Sequence, residues 1–302
     1  MPRLVLAAAA ILAATSPGKA SGATPSIEIA PGVKMPLLNA GIGNRSIWVE
    51  AGGRGLDTAF IYGDDDQKSA GTTVAKSGVP REELFITTKV PCCPSNFVQC
   101  TFSDTHANLQ HDLDMLGVGQ VDVMLLHWPC ETFEQTLRAY KAIEDFYDAG
   151  KARAIGVSNF NSTLLSSFVK AVKVKPAVNQ VGFSVGGHFP DESPWGRDDA
   201  TLAESRKLGV HLTAYSPLGG ITKVDVFHDA TVLAIAAQHN RSAAQVALRW
   251  LTELQIPLIT TTSSIAHAQS DLDIFDFTLS KEEMQQLSAV KPDDLKVSLQ
   301  HV

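Results

Sequence analysis

The chain has 302 residues, 44% hydrophobic and 19% charged, with a formal net charge of -7. That composition is globular and supports one α/β barrel or two smaller domains. It offers no basic footprint for nucleic acid, and no apolar run approaches the ~20 residues that cross a bilayer.

The N-terminus differs in kind from the rest. Arg3 precedes an apolar run over 4–14, and small residues follow over 18–23. This is the order of a secretory signal: positive start, short apolar centre, small-residue cleavage zone. Residues 1–23 are expected to be a signal peptide, and 24–302 the folded domain. The secretory pathway or secretion is the expected location, with an organelle transit sequence as the alternative.

Residues 26–35 read as a short hairpin around Pro31-Gly32, placed to plug the bottom of a barrel. Residues 35–43 read as a strand ending in Gly41-Ile42-Gly43, a weak nucleotide signal by itself. Buried-strand runs then recur near Thr58, Ile86, Val123, Ile155, Asn179, Thr213 and Ile259. Helical patterns separate them over 103–116, 132–149, 161–172, 198–208, 229–239 and 242–254. Ser103 and Asn161 are expected N-caps, and Gly150 and Gly209 expected stops. Eight β/α units at spacings of roughly 25 to 45 residues fit a single-domain (β/α)8 TIM barrel. A doubly wound sheet is the alternative, but no Gly-x-Gly-x-x-Gly joins a strand to a helix.

Three runs end in chemistry. The run over 55–60 carries Asp57, with Tyr62 just beyond. The run over 84–90 carries Lys89, and that over 121–126 is followed by His127. Buried separately, an acid, a phenol, an ammonium and an imidazole are costly. Gathered at the mouth of one barrel, they can pair and react. Four cysteines, Cys92, Cys93, Cys100 and Cys130, follow the Lys89 or His127 runs and fall on the same face. One or two disulfides are expected there if the compartment is oxidising, with the pairing open. Their spacing suits zinc poorly, and no metal site is expected.

In these residues the chain resembles the aldo-keto reductase family. The resemblance rests on Leu56-Asp57-Thr58-Ala59 with Tyr62-Gly63, on the run from Leu84 to Lys89, and on Leu126-His127-Trp128-Pro129. It continues in Ile155-Gly156-Val157-Ser158-Asn159-Phe160, Val178-Asn179-Gln180 and Ala214-Tyr215-Ser216-Pro217-Leu218-Gly219. It implies an NAD(P)H-dependent reduction of an aldehyde or ketone to an alcohol. Tyr62 would be the general acid, Lys89 the ammonium that favours ionised phenol, Asp57 its ion-pair partner, and His127 the donor to the substrate oxygen. Ser158, Asn159 and Gln180 would bind the nicotinamide carboxamide, Tyr215 would stack on the ring, and Ser216 and Leu218 would form the pyrophosphate loop. The expected partner is a small-molecule carbonyl substrate, met by a monomer without nucleic acid or, once the signal is removed, membrane.

The eighth strand departs from the family, which carries Pro-Lys-Ser and a following Arg to grip the 2'-phosphate of NADPH. Here those positions fall on Thr260, Thr261, Thr262 and His267, with Asp271 on the adenine side and Lys223 as a substitute cation. NADP(H) is the implied cofactor. NAD(H) is admitted because the gripping Lys and Arg are absent.

The first helix has room for one or two turns over 46–51. Asp64, Asp65 and Asp66 are expected as a solvated helix start. The segment 182–195 is long, serving as a lid or as a surface loop. Trp128, Phe97 and Phe160 are candidate substrate contacts, with Phe189 and Trp195 as further walls. Two other functions remain open from sequence. A barrel glycosidase needs two carboxylates across the mouth, and only Asp57 ends a strand. A catalytically weak nucleotide-binding sensor or partner subunit is the other.

Overall fold

The computed structural model describes residues 24–93, 105–188, 193–220 and 224–291. The expected signal peptide, Ser103, Cys100, Phe97, Phe189 and Lys223 lie outside them.

The chain opens with an antiparallel hairpin, β1 (Ser26–Ala30) and β2 (Val33–Pro36), turning at Pro31-Gly32. Ile29, Val33 and Met35 pack against Phe85, Val123, Leu125, Ala154 and Val178, inward side chains of the barrel. The hairpin therefore plugs the barrel's base. Eight strands then close on one another: β3 (Leu38–Ala40), β4 (Gly55–Asp57), β5 (Phe85–Val90), β6 (Val121–Leu126), β7 (Ala152–Ser158), β8 (Val178–Gly182), β9 (His211–Tyr215) and β10 (Leu258–Thr260). The circular order is β10-β3-β4-β5-β6-β7-β8-β9. Each neighbouring pair is parallel. All strand C-termini thus emerge at one mouth. The strand expected over 35–43 is split, because Met35 and Pro36 belong to the hairpin.

Helices cover the outside: α1 (Arg45–Ala51), α2 (Asp64–Lys76), α3 (Thr105–Leu116), α4 (Phe133–Asp148), α5 (Ser162–Val169), α6 (Asp199–Leu208), α7 (Ala230–His239), α8 (Ala243–Glu253), α9 (Ile265–Leu272) and α10 (Lys281–Ala289). Their starts are legible in short polar side chains that satisfy free helix N–H groups. Asn161 accepts from Leu164 N, and Thr132 and Ser242 form reciprocal capping boxes with Gln135 and Gln245. Gly209 ends α6 in the left-handed conformation at φ 63°. After α4, Ala149 is the cap and Gly150 follows at φ 71°.

The first helix has seven residues. Gly52 reverses the chain at φ 110°, and a side chain at Gly53 would strike the buried indole of Trp48.

Two expectations are corrected. Asp64 to Asp66 do begin α2, but Asp66 is only partly solvated: it pairs with Arg45 at 2.9 Å, and the arginine side chain is 1% exposed. The segment after β8 is no surface loop at its start either. Phe183 to His188 are buried, and Phe183, His188 and Trp250 stack with centroids 5.2 to 5.9 Å apart.

Candidate active site

Asp57 is the last residue of β4, and Lys89 stands one residue before the end of β5. Their side chains are 3% and 1% exposed and meet at 2.6 Å, Lys89 Nζ to Asp57 Oδ1. Lys89 also donates to the Thr58 carbonyl at 2.8 Å, and Gln180 Nε2 donates to the other Asp57 oxygen at 2.9 Å. An ammonium this deep is affordable only because its donors are matched. Burial works to lower the Lys89 pKa, but the charges of Asp57 and then Tyr62, with hydrogen bonds to both, prevail and raise it. Lys89 is therefore a fixed cation at neutral pH.

Tyr62 sits on a single 3₁₀ turn, Phe60–Tyr62, directly after β4. Its ring centroid lies 5.4 Å from Lys89 Nζ and 6.2 Å from the His127 ring, edge to face at 83°. The phenol is partly exposed, so it can be reached from the mouth. His127 follows β6 and donates its backbone N–H to the Val90 carbonyl. Burial, then the Lys89 charge, hold its imidazole well below the usual range, leaving it neutral.

The other face of the mouth is amide-rich. Ser158 Oγ donates to the Gln180 carbonyl at 2.7 Å. Asn159, in the left-handed conformation at φ 63°, donates to the His127 carbonyl at 2.9 Å. The Tyr215 hydroxyl donates to Asn159 Oδ1 at 2.8 Å. Hydroxyl and amide groups in this array offer both donors and acceptors, which a carboxamide needs. Ser216 (φ 53°) and Leu218 continue from β9, both partly exposed. At the eighth strand, Thr260 Oγ1 lies 3.3 Å from Asp271 Oδ2 and both are buried, while Thr261 is exposed and Thr262 partly so. Burial pushes the Asp271 carboxyl up to about 6, against smaller lowering by Thr260 and His267.

Trp128 keeps its place beside the mouth, its rings 4.6 Å from His127. Phe160 does not. It is fully buried, edge-on to Phe168 at 5.0 Å, so it is a core residue behind the site rather than a substrate wall. Trp195 is 39% exposed. Cys92 and Cys130 form a disulfide that ties the exits of β5 and β6 together, three residues beyond Lys89 and His127. Cys93 is also disulfide-bonded.

Three features went unread in the sequence. Arg45 donates to the Asp57 carbonyl at 3.0 Å from beneath. Asp112 lies buried behind β5, accepting from Thr88 Oγ1 at 2.7 Å and from Gln67. Burial pushes its carboxyl up to about 7. A signal did exist there: Asp112 falls on the face of α3 that carries Leu109, Leu113 and Leu116. Arg197 donates to the Tyr215 hydroxyl at 3.0 Å from a loop, where no periodicity marks it.

The family model described as Aldo/keto reductase family matches residues 46–292. Morphine 6-dehydrogenase of Pseudomonas putida is 33% identical over 286 residues, covering 88% of this chain and 91% of that protein. Glyoxal reductase of Bacillus subtilis is 34% identical over 285 residues, covering 89% and 94%. Among solved structures, an aldo-keto reductase from a Medee basin deep-sea metagenome library superposes with a TM-score of 0.76 at 30% identity, covering 88% of this chain and 95% of that one. Bombyx mori aldo-keto reductase in complex with NADP gives 0.74 at 26% identity, covering 90% and 94%. With its closed eight-stranded barrel and a match spanning most of its length, this chain belongs to the aldo/keto reductase family of oxidoreductases.

Proposed function

We propose that the protein reduces an aldehyde or ketone to the alcohol, with Tyr62 as general acid. The observation that carries this is the convergence of Tyr62, Lys89, Asp57 and His127 at one mouth. When bound, a reduced nicotinamide dinucleotide supplies the hydride to the carbonyl carbon. Tyr62 gives its hydroxyl proton to the carbonyl oxygen. Lys89, held charged by Asp57, stabilises the phenolate left behind. The neutral imidazole of His127 hydrogen-bonds the substrate oxygen and orients it, beside the apolar face of Trp128. Asp57 touches no substrate and acts by holding Lys89. The relatives named as a glyoxal reductase and a morphine dehydrogenase support a small carbonyl or alcohol as the reacting partner.

The experiment is oxidation of the reduced cofactor by a simple aldehyde, comparing wild type with Tyr62→Phe. General acid catalysis contributes about 10²–10⁴-fold, and a loss of that size is expected. Activity that survives the substitution overturns the proposal. Absent activity in wild type with intact nucleotide binding favours the sensor reading instead.

Ser158, Asn159 and Gln180 would hold the carboxamide, Tyr215 the ring, and Ser216 and Leu218 the pyrophosphate. Thr260, Thr261, Thr262 and Asp271 would meet the adenosine ribose. With threonines and a histidine where the family carries Lys and Arg, a 2'-phosphate meets no permanent cation at these positions. At neutral pH the Asp271 carboxylate accepts hydrogen bonds from a ribose hydroxyl more readily than it tolerates a phosphate. A charged hydrogen bond is worth about 1.5–3 kcal/mol, so NADH and NADPH are expected to bind within about tenfold of each other. A titration with NADPH more than a hundredfold tighter refutes this. We further propose a secretory location; the disulfides support it, being favoured in oxidising compartments.

A further inference from the structure

We propose that Arg197 makes the site discriminate between redox states of the nicotinamide, favouring the neutral reduced ring over the cationic oxidised one. The inference rests on the reading of Tyr215 as the stacking platform. Arg197 Nη2 donates to the Tyr215 hydroxyl at 3.0 Å, and its guanidinium carbon lies 5.9 Å from the ring centroid. Tyr215 in turn donates to Asn159 Oδ1 at 2.8 Å, and Asn159 to the His127 carbonyl at 2.9 Å. The cation is therefore locked to the platform by a bond whose far end reaches the catalytic histidine's backbone.

Gly182 makes the approach feasible. A Cβ there would stand 3.2 Å from both Arg197 Nε and Tyr215 Cε2. A side chain there would force the guanidinium or the ring to give way by a few tenths of an ångström. Asp198, the next residue, is buried and anchored as the N-cap of α6, where its carboxylate accepts from Thr201 N and Ser193 N. The loop is thus fixed at the residue that follows the arginine. Among the described residues no carboxylate forms an ion pair with Arg197, so its charge is not cancelled by them.

The physics is simple. Arginine is a permanent cation in proteins. A ring stacked on Tyr215 lies within about 10 Å of it. The oxidised nicotinamide carries a positive charge and the reduced ring none, so only the oxidised form is repelled. At about 8 Å, with an effective dielectric between about 20 and 40, the repulsion corresponds to roughly a five- to thirty-fold preference. The consequence for a carbonyl reductase is release of the oxidised cofactor after turnover and poor inhibition by it.

The test is equilibrium binding of reduced and oxidised cofactor to the whole protein, in wild type, Arg197→Gln and Arg197→Lys. The expected result is a five- to thirty-fold fall in the ratio of oxidised to reduced Kd in Arg197→Gln, mostly through tighter oxidised binding. Arg197→Lys, which keeps the charge, should keep most of the ratio. Arg197→Met serves as a second neutral variant should the glutamine form not fold. An unchanged ratio, or equal shifts for both forms, overturns the proposal. Tyr215→Ala separates the two readings. If it leaves both affinities unchanged, the stacking platform itself is wrong; if it weakens both while Arg197→Gln leaves the ratio alone, only the role of Arg197 fails.

Discussion

Replacing Asp57 with asparagine tests the whole arrangement, because one charge is removed and almost no volume. In wild type the Asp57 carboxylate is bonded to Lys89 at 2.6 Å and accepts Gln180 Nε2 at 2.9 Å. The variant leaves a buried ammonium without its main counter-charge, a loss of about 3–5 kcal/mol when one partner of a buried pair is removed. The protonation balance reverses as well. Burial already works against the Lys89 ammonium and is outweighed by Asp57 first and Tyr62 second. Without Asp57, burial prevails and the Lys89 pKa falls below its ordinary value. The sign of the pH dependence follows. In wild type the raised Lys89 pKa contributes stability at pH values below the unfolded lysine's, lost only as pH climbs through the folded value. In the variant the lowered pKa means stability grows as pH rises toward the unfolded value. Urea unfolding at pH 7 and pH 9 should therefore show a variant that is weaker at both, but less so at pH 9. Aldehyde reduction at pH 7 should drop by two orders of magnitude or more as Lys89 stops being a fixed cation beside Tyr62. Stability within 1 kcal/mol of wild type, or activity within threefold, would refute the reasoning.

Two further outcomes follow from groups outside the reaction. Asp112 has its carboxyl raised from 3.8 to about 7 by burial, so its folded state holds a proton that the unfolded chain has released. Stability from this group is full below pH ~4 and is lost as pH rises through about 7, by up to ~4 kcal/mol; in Asp112→Asn this loss should vanish, and a thermal melt series from pH 5 to 8 reads it. The Cys92–Cys130 disulfide spans 38 residues, and constraint of an unfolded loop of that size is worth roughly 4 kcal/mol in the chain-entropy account. Cys92→Ser with Cys130→Ser should lower the melting temperature by several degrees and reduce kcat more than it raises KM, since the tie joins the strand exits bearing Lys89 and His127; an unchanged melt would dismiss the tie as incidental.

The barrel was legible because its strands are short apolar runs at regular spacing and its helices announce their starts. Thr132, Asn161, Asp198, Asp229 and Ser242 all cap the helix that follows them. The convergence of Asp57, Lys89 and His127 was legible for a related reason. Parallel strands closed into a barrel must end at the same mouth, so residues at strand ends are neighbours whatever their sequence separation. Phe160 was misread because sequence gives strand register poorly just beyond a strand's end: after Asn159 turns into the left-handed region, the next side chain points to the core and meets Phe168. Arg197 and Arg45 were unreadable, since each acts across a long separation, from a loop or a two-turn helix, on groups that no spacing rule connects. Asp66 was misjudged for the same reason; a run of three acids gives no hint that one of them has a buried arginine waiting 21 residues earlier.

Thr58 explains why the lysine and the tyrosine are held so differently. Its carbonyl accepts from Lys89 at 2.8 Å, while its hydroxyl lies 2.5 Å from Gln67 Oε1 and 2.8 Å from Asp66 Oδ2. Gln67 reaches on to Asp112, and Asp66 to Arg45, which returns to the Asp57 carbonyl. Residues 57 and 58, which present two acceptors to the ammonium inside the barrel, are thereby held from outside it by Arg45, Asp66 and Gln67. Displacing Lys89 means breaking its bonds to Asp57 and to the Thr58 carbonyl, two acceptors that are themselves held in place. Tyr62 stands partly exposed on one 3₁₀ turn, beside Lys89 and the His127 ring. The division suits the chemistry. A charge that must tune a neighbour works best immobile and dry, whereas the group that hands over a proton has to remain within reach of an arriving substrate.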